Sequence, residues 1–71
     1  MVFDFSRLRG RIVERYGSCE RFAEAMGRSK VWLSSRLNNV VHWRGPEIRE
    51  AAELLGILPE EIPSFFLTQK F

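Results

Sequence analysis

Three times along this chain a residue suited to ending a helix is followed almost at once by one suited to starting the next: Gly17-Ser18, Gly27-Arg28-Ser29 and Gly56-Ile57-Leu58-Pro59. Glycine reaches the left-handed conformation that closes a helix without a Cβ penalty, serine caps the next start, and proline fits the first helical turn. Such punctuation permits only short helices. Between the stops the apolar residues recur at helical spacing. The first pattern covers residues 5–16, with Asp4 or Ser6 as cap and Phe5, Leu8, Ile12, Val13 and Tyr16 on one face. Gly10 inside it costs about 1 kcal/mol against alanine, for which a close approach by a neighbouring helix would compensate. A second pattern, residues 19–26, is capped by Ser18 and turns Phe22, Ala23 and Met26 inward, and a third, residues 30–38, is capped by Ser29. Pro46 opens the fourth, whose Ile48, Ala51, Ala52 and Leu55 give the cleanest amphipathic stripe in the chain. Pro59 starts one further turn through Ile62, and Pro63 is expected to stop it. The fold expected is a compact all-α bundle of four to five short helices, with a short extended C-terminal tail over residues 63–71.

A length of 71 residues allows one domain, with a thin stability margin because a chain this short leaves much of its surface in water. The 45% hydrophobic content is ample for a core and argues against disorder. No segment has the ~20 unbroken apolar residues of a membrane span, and the start, Met1-Val2-Phe3-Asp4, lacks a signal-peptide layout. Cys19 is the single cysteine, so no internal disulfide forms and a cytoplasmic location is expected. Charge is divided unevenly. Through residue 45, Arg7, Arg9, Arg11, Arg15, Arg21, Arg28, Lys30, Arg36 and Arg44 face only Asp4, Glu14, Glu20 and Glu24; beyond it, Arg49 and Lys70 face Glu47, Glu50, Glu53, Glu60 and Glu61. That polarity would orient the molecule toward a polyanion.

The most informative stretch is residues 18–37, two short helices joined by a tight glycine turn. Ala23 is small where crossing helices approach, and Leu33 and Leu37 form an i,i+4 anchoring stripe. Opposite that stripe lie Val31, Ser35 and Asn38, flanked by Lys30, Ser34, Trp32 and Arg36. A helix anchored on one stripe and polar outward has the geometry of a major-groove reader.

Phe22-Ala23-Glu24-Ala25-Met26-Gly27-Arg28-Ser29-Lys30-Val31-Trp32-Leu33-Ser34 resembles the helix-turn-helix of the phage repressor and Cro-type (xenobiotic-response-element) regulators. The resemblance extends from Phe3 to about Ile62. Leu8-Arg9-Gly10-Arg11-Ile12, Leu37-Asn38-Asn39 and the Phe-Phe-rich end look like one phage-associated branch. It implies a bundle of about five helices, transcription regulation in the cytoplasm close to the nucleoid, and binding to a palindromic double-stranded DNA operator as a homodimer. Position by position, it implies base readout by Lys30, Val31, Ser34 and Ser35, and phosphate contacts from Arg28, Ser29, Arg36, Asn38 and Asn39. Trp32 would touch the DNA backbone if exposed, or close the small core if buried. One position departs from the pattern: three residues after Leu33, where many members carry an apolar side chain, this chain has Arg36, so the third helix is expected to be slightly rotated or shifted.

Phe65, Phe66, Leu67 and Phe71 make the tail too apolar to lie free, and cover is expected on the first helix and N-terminal arm or, preferentially, across a dimer. Trp43 reads as core. His42 has no second ligand at metal spacing, Cys19 has no histidine partner, and no phosphate-binding glycine loop is present, so neither a catalytic set nor a metal or cofactor is expected. Two classes compete: a sequence-specific DNA-binding regulator, and a protein-interaction module, such as an antitoxin or anti-repressor, on the same scaffold. The second has no need of a cationic face around Arg28, Lys30 and Arg36.

Overall fold

A computed structural model describes residues 2–69. Its helices are α1 (Ser6–Tyr16), α2 (Cys19–Ala25), α3 (Lys30–Leu37), α4 (Gly45–Leu55) and α5 (Ile62–Phe66), with one 3-10 turn, Pro59–Glu61, leading into the last. The radius of gyration, 11.0 Å, is the ~11 Å of a fully collapsed chain of this length. No described helix is long and apolar enough to cross a membrane.

The starts and stops behave as their chemistry requires. Ser18 and Ser29 accept the amide protons of Arg21 and Trp32 at 3.2 and 3.0 Å, each satisfying one orphan donor of the helix that follows. Gly17, Gly27 and Gly56 take positive φ at the ends of α1, α2 and α4. Asn39, a residue type that tolerates this region, does the same after α3, with φ 62°. At the head of α1 the capping position is Phe5, whose side chain cannot cap; Asp4 instead accepts from the Ser6 amide and hydroxyl at 2.9 and 2.7 Å.

The core gathers one stripe from every helix: Phe5, Leu8 and Ile12; Phe22, Ala23 and Met26; Leu33 and Leu37; Ala51, Ala52 and Leu55; Phe65 and Phe66. Ile57 joins them from the turn after α4. Three sequence expectations change. Val13 lies at the edge of the α1 stripe and is 52% exposed, because α1 buries a face only wide enough for Leu8 and Ile12. No helix closes on Gly10, which has open space where a Cβ would stand, so close packing does not explain it. Pro63 does not stop a helix but opens one: it sits in the first turn of α5, where its missing N–H would have had no helical acceptor.

That helix disposes of the aromatic tail. Phe65 and Phe66 are 2% and 1% exposed. The guanidinium groups of Arg7 and Arg11 lie over the Phe65 ring at 4.4 and 5.1 Å, and Trp43 meets Phe66 edge-on at 5.1 Å between centroids. Their cover comes from within the chain, which corrects the expectation that they meet a second copy; of the tail's apolar residues only Leu67 is exposed among those described, and Phe71 lies outside the described residues. Beyond α5 an isolated antiparallel bridge joins Phe3 to Gln69, and the Asp4 amide donates to the Thr68 carbonyl at 2.8 Å.

Candidate functional site on the third helix

Helix α3 is held from behind and left bare in front. Leu33 and Leu37 are 1% and 4% exposed, and α2 packs against it through the turn at Gly27, where the Arg28 amide donates back to the Ala23 carbonyl at 2.9 Å. Among the described residues no other element covers the opposite side, where Val31, Ser34 and Asn38 are exposed. Lys30, Val31, Ser34, Ser35, Asn38 and Val40 line a shallow groove of about 500 Å³ there. Each residue expected to read bases therefore lies in one groove. Val31 is 77% exposed and Val40 74%. The polar members are partly engaged: Asn38 donates to Ser34 Oγ at 3.0 Å and accepts from Arg9 Nη2 at 2.9 Å, and the Ser35 hydroxyl donates to the Trp32 carbonyl at 2.7 Å.

The residues expected to clamp phosphates divide differently. Arg28 and Ser29 are exposed at the head of α3, with the Arg28 guanidinium over the Trp32 ring at 5.0 Å. Asn38 remains exposed at its foot. Asn39 is half-buried, and both ends of its amide are used on the backbone of Phe3: Oδ1 accepts from the Phe3 N–H at 2.9 Å, and Nδ2 donates to the Phe3 carbonyl at 3.0 Å. It fastens the N-terminal arm to the turn after α3.

Arg36 is the principal correction. Expected beside the phosphates, it is only 9% exposed and forms a two-point fork with Glu47 of α4, Nε to Oε1 at 3.1 Å and Nη2 to Oε2 at 3.2 Å. Its guanidinium also stacks over Trp32 at 4.0 Å, and Nη1 reaches the Trp32 carbonyl at 3.4 Å and Ser35 Oγ at 3.3 Å. A planar, fivefold donor can be buried in this way because nearly every N–H finds an acceptor or a ring face. Burial pushes the Glu47 carboxyl up, but the Arg36 hydrogen bonds, the Arg44 amide that donates to it, and the charges of Arg36 and Arg28 outweigh that and hold it below its usual value. Trp32 is consequently half-buried, edge-on to Trp43 at 5.8 Å. Trp43 is packed against the core, as expected, and His42 is exposed.

The arginines of α1 also have structural tasks. Arg11 donates to the Leu55 carbonyl at 2.9 Å at the end of α4, and Arg15 lies against Gly56 just beyond. Arg9 donates to the Leu37 carbonyl and to Asn38 at the end of α3. Cations at helix C-termini complement the partial negative charge there. Apart from Arg9, at the foot of the α3 groove, the arginines of α1 are thus placed at the end of α4 and over the Phe65 ring, away from that groove. No group of histidine, cysteine and acidic residues able to hold a metal occurs among the described residues.

Two members of the site escaped the sequence. Val40 falls outside every helical pattern of the sequence, yet its exposed side chain lines the groove with Val31. Glu47 read as one of several solvated acids on α4; only its place three residues after Arg44, where a carboxylate reaches back to an N-cap amide, marked it as something more.

No curated protein matches the chain. Among solved structures, the solution structure of the modulator of repression (MOR) of the temperate bacteriophage TP901-1 from Lactococcus lactis is similar, with a TM-score of 0.83 and 41% identity over 93% of this chain and 89% of that one. A family model described as a protein of unknown function, DUF739, matches residues 1–69. With so little of the chain outside that match, the protein belongs to the DUF739 family.

Proposed function

We propose that the protein regulates repression in a phage, and that it does so by binding a protein component of the repression switch through the outer face of α3 and the turn that follows. The observation that carries this is the bare apolar pair Val31 and Val40, 77% and 74% exposed in one groove. Exposed apolar surface rimmed by polar groups, here Lys30, Ser34 and Asn38, is what a protein interface buries. A DNA reader needs several unengaged cations around such a face to hold phosphates. Here Arg36 is turned inward, Arg7, Arg11 and Arg15 are engaged away from the groove, and Arg9 is tied to the Leu37 carbonyl and Asn38 at its foot, leaving Arg28 and Lys30 as the exposed cations at its head. The similarity to a modulator of repression supports the same assignment.

A second reading has its own support. The head of α3 presents Arg28, Ser29 and Lys30 uncovered, and a phosphate or base edge fits that end of a helix. On this reading Lys30, Ser34 and Ser35 select bases in an operator and Val31 meets a thymine methyl. Titration calorimetry of the untagged chain against the phage's repressor, and separately against duplexes from its control region, divides the two. On the protein reading Val31→Asp together with Val40→Asp weakens repressor binding at least tenfold, and Lys30→Ala changes it little. Tight binding by the wild-type chain alone to one duplex, with a sequence preference altered by Lys30→Ala or Ser35→Ala, would replace that reading with the operator-binding one.

A further inference from the structure

The α3 face lacks a cation that the chain in fact possesses, and we propose that Glu47 is the residue that decides this: by drawing Arg36 beneath the face, it selects a protein partner over a polyanion. The inference rests on the function proposed above and concerns the specificity of the same groove. Arg36 lies on α3 itself, and its Nη1 is already 3.3 Å from the hydroxyl of Ser35, a residue that lines the groove. The guanidinium therefore lies next to the rim, and the strongest of the contacts that hold it inside, beside the Trp32 ring and carbonyl, is a fork of two hydrogen bonds to a single carboxylate. Removing two charges from water is costly, and a well-packed apolar pair at such a place is commonly as stable or more so. An apolar residue at position 36 would keep that further charge off the face without help. Having arginine there instead makes the charge state of the face depend on a residue of another helix. Glu47 is suited to the task, since the Arg44 amide fixes the same Oε1 that accepts from Arg36 Nε at 3.1 Å, so the carboxylate is aimed before Arg36 arrives.

The test uses a fluorescein-labelled duplex of random sequence, titrated by anisotropy from 50 to 200 mM salt. Glu47→Gln removes the charge but keeps an oxygen for the Arg44 amide. It is expected to bind the duplex more tightly than wild type at 50 mM salt, and to steepen the log–log salt dependence by about 0.9, the increment for one added phosphate contact, so that roughly threefold more affinity is lost across that range. Glu47→Gln combined with Arg36→Met returns both quantities to wild type. Glu50→Gln, which changes net charge equally on an exposed part of α4, does not reproduce the gain. Arg36→Met alone leaves wild-type duplex binding unchanged, because the cation it removes is not on the face. A gain that survives in the double variant, an equal gain from Glu50→Gln, or, in proteins with wild-type circular dichroism, no gain in Glu47→Gln or a loss in Arg36→Met overturns the proposal. The duplex assay contains no protein partner, so its failure leaves the repressor titration to be judged separately.

Discussion

At position 36 the side chain is charged where the fold provides an interior. Truncating one member of a buried pair leaves the other desolvated and unmatched, at a cost of about 3 kcal/mol or more. Arg36→Ala is therefore expected to lower the urea midpoint sharply, and Arg36→Met less, since its stem refills part of the space over Trp32. Acid acts on the same pair. Because the folded state holds the Glu47 carboxyl below its usual value, the unfolded chain takes up the proton first as pH falls. The pair's contribution is complete above the ordinary carboxylate range and disappears as pH drops through the depressed folded value. Urea titrations between pH 7 and pH 3 should show that acid limb in wild type and a shallower one in Glu47→Gln; identical limbs would mean the pair has no net linkage. Periodicity could not have shown this, because a helical wheel gives direction relative to one axis. On α3 alone Arg36 sits beside the groove. Only the N-terminus of α4, brought near by the intervening loop, turns that flank into an interior.

Among the elements, the glycines divide by backbone and not by burial. Gly56 ends α4 at φ 65°, and a Cβ there would stand 2.6 Å from Arg15 Nη2. Gly56→Ala meets both the left-handed penalty, about 1–2 kcal/mol, and a displaced arginine at the helix end. Gly10, in the middle of α1 with nothing near, is the opposite case: Gly10→Ala should raise stability by about 0.5–1 kcal/mol. Thermal melts of the two variants should move in opposite directions, and a fall for Gly10→Ala would point to a role for the bare backbone of α1. The helices and their caps were legible because they depend on local chemistry: Ser18, Ser29, Gly17, Gly27 and Gly56 each act on residues within a turn. Pro63 was misjudged because a proline that ends one helix and one that opens another look alike locally. Deciding between them takes the burial of Phe65 and Phe66, which depends on α1 and Trp43, far off in sequence. Val13 failed for a related reason, since the width of a buried stripe is set by the partner helices.

For the molecule as a whole, the aromatic end of α5 is the keystone of a small core. Replacing a buried phenylalanine with alanine costs about 3–5 kcal/mol, against a total margin of about 5–15 kcal/mol for an ordinary domain and less for one this short. Phe66→Ala should leave the chain largely unfolded at 37 °C by circular dichroism, while Leu67→Ala, on an exposed side chain, should leave the melt unchanged within about 0.5 kcal/mol. The first and last segments of the described residues also meet at one place. Phe3 is laced between Asn39 on one side and residue 69 on the other, and Val40, the next residue after Asn39, floors the groove. A change at Phe3 that loosens this stitch, such as Phe3→Pro, which removes the N–H that Asn39 accepts, is therefore expected to alter the α3 groove. If the proposed partner seats on that groove, such a variant would be felt as a change in partner strength although residue 3 itself lies outside it.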